Sequence, residues 1–278
     1  MIKLLDTSKR VFTIGSCFAI EVRRELKARG FDVRPRFDEL FKKRFVWYNS
    51  YSLLYEFEIA FGQREINWDS AWEISDRQDK NWSWQHPLRR LVVCATEEKL
   101  RSYSDKIDAE IKESVAASKV FVVTLGLTEV FVHKTTGTVV CAHPKYGLHK
   151  IGFHYTKGTD LVEFYDSTMK DNARNLRGIC QLLKDNIPDA HVIFTVSPVP
   201  LAATFTGLSQ NEANLRSKGK LLSAAKTVVA EFDNAHYYDS YEYAQSFPVA
   251  ERFLADKRHI RPTLIAKIVD RFLGEFEG

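Results

Sequence analysis

The chain has 278 residues, of which 45% are hydrophobic and 27% charged, proportions that are ordinary for a globular protein with a substantial core. The 40 basic residues exceed the 36 acidic ones by only four, and no basic run with interleaved aromatic residues occurs, which argues against nucleic-acid binding. No apolar run approaches the length of a membrane span, and the first residues lack the apolar core of a signal peptide. The 4 cysteines are scattered without a CxxC pair, which predicts free thiols in a reduced, cytoplasmic setting.

The first predicted element is a strand, a tight turn and a helix around residues 11–19. Residues 11–14 have high strand propensity, Gly15, Ser16 and Cys17 form the turn, and apolar residues at helical spacing continue to a C-terminal cap at Gly30. Such a turn lifts a side chain above the edge of an α/β sheet where ligands bind. The helix N-terminus favours negative charge and lowers the pKa of a thiol, so a thiolate is expected at Cys17. The alternative is a small apolar residue packed under the strand.

A short strand at 31–33 precedes a window, about 36–118, in which the alternation of strands and helices is lost. The window contains predicted helices at 52–61, capped by Asn49 or Ser50, and at 97–117. We interpret it as an insertion whose aromatic side chains either form a core or stack on a sugar or another flat ligand. Its aromatic residues include Trp47, Tyr48, Tyr51, Tyr55, Phe57, Trp68, Trp72, Trp82 and Trp84.

The alternation returns in the second half of the chain. Buried-type strands are predicted at 119–124, 191–196 and 235–239, and helices at 161–185, 211–232 and 263–273, the last ended by Gly274. This order predicts a doubly wound, mainly parallel sheet in one α/β domain, 1–278, with the insertion at about 36–118. Residues 130–154 are predicted to be irregular or a hairpin, and they carry histidines whose spacing fits no metal site: His133, His143, His149 and His154.

Asp256 and His259 are the second candidate for catalysis. A cysteine nucleophile needs a base and a group that orients the base, and an Asp three residues before a His can accept from one imidazole nitrogen. The other nitrogen is then free to face Cys17 from a loop just before the last helix. The alternative is a surface salt bridge.

The polar cluster that follows strand 119–124 is the third candidate. A tetrahedral intermediate needs preorganised donors, and the amide of Cys17 together with the backbone or hydroxyl at Gly126–Thr128 would supply them. The alternatives are turn chemistry for Thr128 and a helix cap or surface charge for Glu129.

The order of these three elements resembles the SGNH (GDSL-type) hydrolases, with Gly-Asp-Ser on the first strand, Gly-x-Asn-Asp in the middle and Asp-x-x-His at the end. Residues 14–19, Ile-Gly-Ser-Cys-Phe-Ala, more specifically resemble the signature of the GSCFA family within that superfamily. The resemblance extends over most of the chain. It includes residues 47–52, 124–130, 195–201, Asn211 with Ser217 and Lys218, residues 239–242, and Asp256 to His259.

The resemblance implies a flavodoxin-like three-layer sandwich and a Cys17–His259–Asp256 triad. Ser16 stands where the superfamily has Asp, Thr128 stands where it has the oxyanion Asn, and Asn49 is the candidate for the role of its second glycine block. The departures at Thr128 and at the second glycine block leave the assignment of the oxyanion donors open.

We therefore expect an enzyme that transfers an O-acyl group, with acetyl foremost, through a thioester at Cys17. With water as acceptor it is an esterase or deacetylase, and with a sugar hydroxyl it is an O-acyltransferase acting on a small molecule or glycan. No metal or cofactor is required, acetyl-CoA is a candidate donor, and the oligomeric state stays open. The alternatives are a non-catalytic binding module and, third, a cysteine peptidase.

Overall fold

The computed structural model describes residues 3–41, 45–76, 82–143, 153–156 and 159–278. Within these ranges strands and helices alternate along most of the chain. The strands are β1 (Arg10–Gly15), β2 (Asp32–Arg34), β3 (Trp72–Asp76), β4 (Trp82–Gln85), β5 (Val93–Cys94), β6 (Val120–Leu125), β7 (Glu129–His133), β8 (Val139–Val140), β9 (Phe153–Thr156), β10 (Val162–Asp166), β11 (His191–Val196) and β12 (Ala235–Tyr238). The helices are α1 (Cys17–Ala28), α2 (Phe37–Leu40), α3 (Ser50–Ala60), α4 (Glu97–Ala117), α5 (Met169–Asn186), α6 (Gln210–Val229), α7 (Ser240–Gln245), α8 (Val249–Arg252) and α9 (Pro262–Phe276).

Five parallel strands form the central sheet in the order β12-β11-β6-β1-β2. Every residue of β6 is buried, as its continuous β-branched run predicts for a strand covered on both faces. Helices α1 and α9 cover one face of the sheet, and α3, α4, α5 and α6 cover the other. The predicted doubly wound α/β fold with three layers is confirmed. Strand order reverses between β1 and β6, which is where ligands bind in such sheets.

The predicted helix at 161–185 is wrong in its first part. Residues 162–166 form β10, which pairs antiparallel with β7, and their side chains alternate between more and less buried positions. Helix α5 begins only at Met169, because Thr168 caps it and Asp171 completes a reciprocal capping box with the Thr168 backbone. Residues 130–154 are predicted to be irregular or a hairpin, and β7 pairs with β8 as a hairpin within this segment. His149 lies outside the described residues.

Three other helix boundaries also differ from the predicted ones: the start of α3 and the ends of α6 and α9. Helix α3 begins at Ser50 with Asn49 as its cap, and α6 ends at Val229, three residues earlier than predicted. Gly274 does not end the last helix. Its position is helical, and α9 continues to Phe276, which is buried in the core and therefore keeps the final turn on the protein.

The aromatic residues of the 36–118 window form a core. Trp47 and Trp72 are buried, and Trp68 and Trp84 pack against the main hydrophobic cluster. A second, antiparallel sheet in the order β5-β4-β3-β9 includes three strands of this window. The interpretation of the tryptophans as core residues is thus confirmed for the four whose side chains are described. Among the aromatic side chains of this window that the structure describes, Tyr48 is the one that lines the pocket described below.

Candidate functional site

The turn between β1 and α1 is built on Gly15. Its φ is +136°, and a Cβ at this position would lie 2.2 Å from the carbonyl oxygen of Thr124 on the neighbouring strand β6. Only glycine adopts this conformation without strain and fits this approach. The backbone can therefore turn at once from the end of β1 into α1, whose first residue is Cys17.

Ser16 is the N-cap of α1, and its hydrogen-bonding groups are already used. Its side chain accepts the N–H of Phe18 at 3.3 Å and lies 3.1 Å from the Thr124 hydroxyl, while its own N–H donates to Thr124. The residue is 2% exposed. By contrast, the Cys17 thiol makes no hydrogen bond to any described residue and lines the pocket. Both residues line the pocket, but only the Ser16 side chain is engaged by hydrogen bonds to described residues.

The pocket lies at the carboxyl ends of the central strands, where the strand order reverses. The space between its walls, about 710 Å³, includes a part that is open to solvent. Cys17, Ser197 and Arg258 lie at the sheet edge, and the other walls are largely apolar. The residues that line the pocket also include Ser16, Tyr48, Asn49, Arg90, Gly126, Leu127, Glu129, Phe131, Cys141 and Phe205.

Residues 47–49 connect the two strand ends beneath the pocket. The N–H of Trp47 donates to the Gly15 carbonyl at 2.8 Å, and the Tyr48 carbonyl accepts the N–H groups of Gly126 and Leu127. Asn49 caps α3 by accepting the Ser52 N–H at 2.9 Å, and its amide donates to the backbone carbonyl of Glu129. Asn49 therefore lies in the pocket wall as an anchor between segments.

The predicted oxyanion donors at Gly126 and Thr128 already have hydrogen-bond partners in the structure. The Gly126 N–H is bonded to Tyr48, the Thr128 N–H donates to the Ser217 hydroxyl at 2.9 Å, and the Thr128 hydroxyl donates to Asp166 at 2.7 Å. Sequence spacing alone does not show that other segments occupy these donors. The N–H of Cys17, at the first position of α1, makes no backbone hydrogen bond and remains the candidate donor.

Glu129 holds the loop that covers the apolar side of the pocket. One carboxylate oxygen accepts the Thr204 hydroxyl at 2.5 Å, and the other accepts the Phe205 N–H at 3.2 Å. Burial raises the pKa of this carboxyl, and the two hydrogen bonds oppose that rise. Glu129 is therefore neither a helix cap nor a surface charge, since it joins β7 to the 204–205 loop.

Asp256 and His259 form the predicted pair. The Asp256 carboxylate contacts His259 Nδ1 and also accepts the backbone N–H groups of Arg258 and His259, which together hold the pKa of the carboxyl well below its usual range. The His259 side chain is 55% exposed, makes no hydrogen bond to Cys17 and does not line the pocket, whereas its neighbour Arg258 does. The structure brings the pair to the rim of the site, not onto the thiol.

The pKa of the Cys17 thiol is raised, whereas the sequence predicted that the helix N-terminus lowers it. Burial raises the pKa of the thiol, while the positive charges of Arg258 and Lys218 lower it and Glu21 raises it further. The N–H at the helix N-terminus also favours the thiolate, but burial is the largest cause and decides the direction. Because the pKa of the thiol is raised even with Arg258 and Lys218 nearby, the structure does not favour the predicted thiolate at Cys17.

Lys218 is a buried charged residue near the pocket, and the sequence assigned it no role. It is 1% exposed, and its ammonium donates to the Gly126 carbonyl at 2.6 Å. Burial lowers its pKa to about 7, and the Cys17 thiolate acts in the opposite direction. The sequence feature that could have indicated Lys218 is its position on the apolar side of an amphipathic helix. It also lies beside Ser217, in a segment that carries the family resemblance.

In the ranges that the structure describes, three or more His, Cys, Asp or Glu side chains never lie close enough together to hold a metal ion. The helices in those ranges include none with the length and apolar character needed to cross a membrane.

The fold and the site define a doubly wound α/β protein with an unpaired thiol in a pocket at the reversal of strand order. The chain belongs to the GSCFA family, whose model matches residues 10–272. No curated protein matches the chain.

Proposed function

We propose that the protein is an acyl-transfer enzyme that forms a thioester at Cys17, and that the GSCFA family belongs to the SGNH superfamily. The observation that supports it most is the Cys17 thiol, unpaired at a helix N-terminus in a pocket that also contains Arg258. The strand order and the position of the nucleophile after the first strand agree with the SGNH arrangement.

In the proposed reaction, Cys17 Sγ attacks the acyl carbonyl carbon and the Cys17 N–H donates to the resulting oxyanion. The tetrahedral intermediate expels the leaving group and leaves a thioester, which water or a hydroxyl then cleaves. His259 takes the Sγ proton as general base, gives it to the leaving group as general acid and then takes one from the acceptor, with Asp256 fixing its tautomer. This role requires the 256–259 turn to move His259 toward the thiol, since Arg258 lies at the pocket wall in the structure.

The acceptor decides between an esterase or deacetylase and an O-acyltransferase. Arg90 and Arg258 in the pocket lining favour a donor that carries phosphate, such as acetyl-CoA. A carbohydrate acceptor rests on the SGNH resemblance, because the tryptophans of the 36–118 window with described side chains lie in the core.

Intact-protein mass spectrometry after brief incubation with p-nitrophenyl acetate or acetyl-CoA tests the proposal. We expect an acetyl adduct on wild type and Ser16→Ala that is lost in Cys17→Ala. Cys141→Ala is the matched control, because Cys141 lines the same pocket but burial raises the pKa of its thiol to about 12. An adduct or turnover that persists in Cys17→Ala would refute the thioester.

One observation favours a non-catalytic binding module as the second candidate. His259 is exposed, makes no hydrogen bond to the thiol and does not line the pocket, so the described lining contains no histidine. A ligand that binds wild type and Cys17→Ala equally, without turnover of either acyl donor, would favour this function.

A further inference from the structure

Lys218 lies below the pocket floor without a carboxylate that could neutralise its protonated form. Its ammonium donates to the Gly126 carbonyl oxygen, and within the described part of the chain it forms no ion pair. Burying an ammonium without a counter-charge costs several kcal/mol, so such groups are rare outside functional sites.

Neighbouring side chains of α6 fix the position of this lysine. The Ser217 hydroxyl accepts the Thr128 N–H, and Lys220 forms a 2.6 Å ion pair with Asp166, the carboxylate that also accepts the Thr128 hydroxyl. These contacts attach α6 on both sides of Lys218 to the loop after β6. The backbone of Lys218 is therefore held below Gly126, whose carbonyl accepts from its Nζ.

Cys17 is the ionisable group next to this charge. Gly126 and Cys17 line the same pocket, and a Cβ on Gly126 would lie 3.2 Å from the Cβ of Ser16, the residue before Cys17. The Cys17 thiolate raises the pKa of Lys218, and the Lys218 ammonium lowers that of Cys17. The other charges that act on the thiol are Arg258 and Glu21, of opposite sign.

We propose that Cys17 and Lys218 ionise as one pair, in which the proton lost from Sγ is bound at Nζ and the reactive state is a thiolate beside an ammonium. Before the step Cys17 is a thiol and Lys218 a neutral amine; the S–H bond breaks and an N–H bond forms, so the net charge of the pair stays at zero and no further reactant is needed. Lys218 is a positioning residue that acts through Cys17, and it holds the Sγ proton until His259 passes it to the leaving group. The inference rests on the proposed function of Cys17 as nucleophile.

The rate of Cys17 alkylation by iodoacetamide, measured by peptide mass spectrometry across the neutral and alkaline range, tests the pair. In wild type we expect a step in the rate near pH 7, where Lys218 titrates. Lys218→Met should lose that step and react about tenfold more slowly at neutral pH, since an opposite charge at close range shifts a pKa by about one unit or more. Lys226→Met, an exposed lysine on the same helix, is the control and should match wild type. An unchanged profile in folded Lys218→Met would overturn the pair.

A second measurement does not depend on Lys218→Met folding. With carbon-13-labelled lysine, the Lys218 resonance is titrated by NMR in wild type and in Cys17→Ala. Coupling is reciprocal, so removing the thiol should lower the pKa of Lys218. An equal pKa in both proteins would overturn the proposal. Both tests use no acyl donor: coupled ionisation without an acyl adduct would refute the proposed function alone, and an adduct without coupling would refute the pair alone.

Discussion

Gly15 and Thr124 lie in such close contact that no side chain fits between them. A Cβ on Gly15 would come within 2.2 Å of the Thr124 carbonyl oxygen, and the Thr124 hydroxyl accepts the N–H of Ser16 at 3.0 Å. Strand β6 thus determines where β1 ends, and with it the position of Cys17.

Gly15→Ala is expected to destabilise the fold strongly. The substitution forces a left-handed conformation on alanine and a backbone clash, which together cost on the order of 3 kcal/mol of the free energy of unfolding. Urea denaturation measures the loss. Gly30→Ala is the control, because φ is +88° there but no atom lies within 4 Å, and it should cost only about 1 kcal/mol. Equal losses would show that the contact with Thr124 is not what requires glycine.

The buried ion pair of Arg89 and Glu56 should stabilise the segment that supports the pocket. The Arg89 guanidinium donates twice to the carboxylate, at 2.9 and 2.8 Å, and Trp47 donates to the same carboxylate at 2.7 Å. Arg89→Met leaves a buried charge unpaired and is expected to cost about 3–5 kcal/mol in thermal or chemical unfolding. Arg177→Met, which removes a half-exposed pair with Glu231, should cost less than about 1 kcal/mol. Similar values for both would contradict the prediction.

Arg258→Gln should shift the ionisation of Cys17 to higher pH. The thiolate is the reactive form, so alkylation accelerates as pH rises through the Cys17 pKa, which burial raises and the Arg258 charge lowers. Without the guanidinium the pKa rises, and the rate at neutral pH should fall by about three- to tenfold. The rate of Cys17 alkylation by iodoacetamide measures this effect. Lys257→Gln, which changes the exposed neighbour of Arg258, is the control. A rate that is unchanged or higher in Arg258→Gln would be inconsistent with this role.

The Thr128→Val variant tests whether the Thr128 hydroxyl is an oxyanion donor or has only a structural role. Loss of an oxyanion donor costs about a hundredfold or more in rate, whereas we expect acylation of Cys17 to change by less than about threefold. Stability should fall by about 1–2 kcal/mol, because Asp166 loses a buried donor. Burst kinetics with p-nitrophenyl acetate and denaturation give both values. A large loss of rate with unchanged stability would restore Thr128 as an oxyanion donor.

Local patterns in the sequence determined the elements of the central sheet and the helices beside it. Continuous β-branched runs predict strands buried on both faces, and Asn49 and Gly30 occur where helix caps are needed. The pattern failed at 162–166, where pairing with β7 gives a strand that the sequence joins to the following helix. Strand pairing is non-local, and periodicity within one segment does not contain it.

The sequence by itself also determined that Ser16 and Cys17 follow the first strand and that Asp256 can bind His259, since both relationships are short-range. Only the tertiary structure decided which hydrogen-bonding groups near the pocket are already bonded to other segments. It committed Gly126 and Thr128 to Tyr48, Ser217 and Asp166, left His259 at the rim, and brought Lys218 under the pocket. Hydrogen-bond partners and burial depend on segments far apart in the chain, and they determine which donors and charges can act on Cys17.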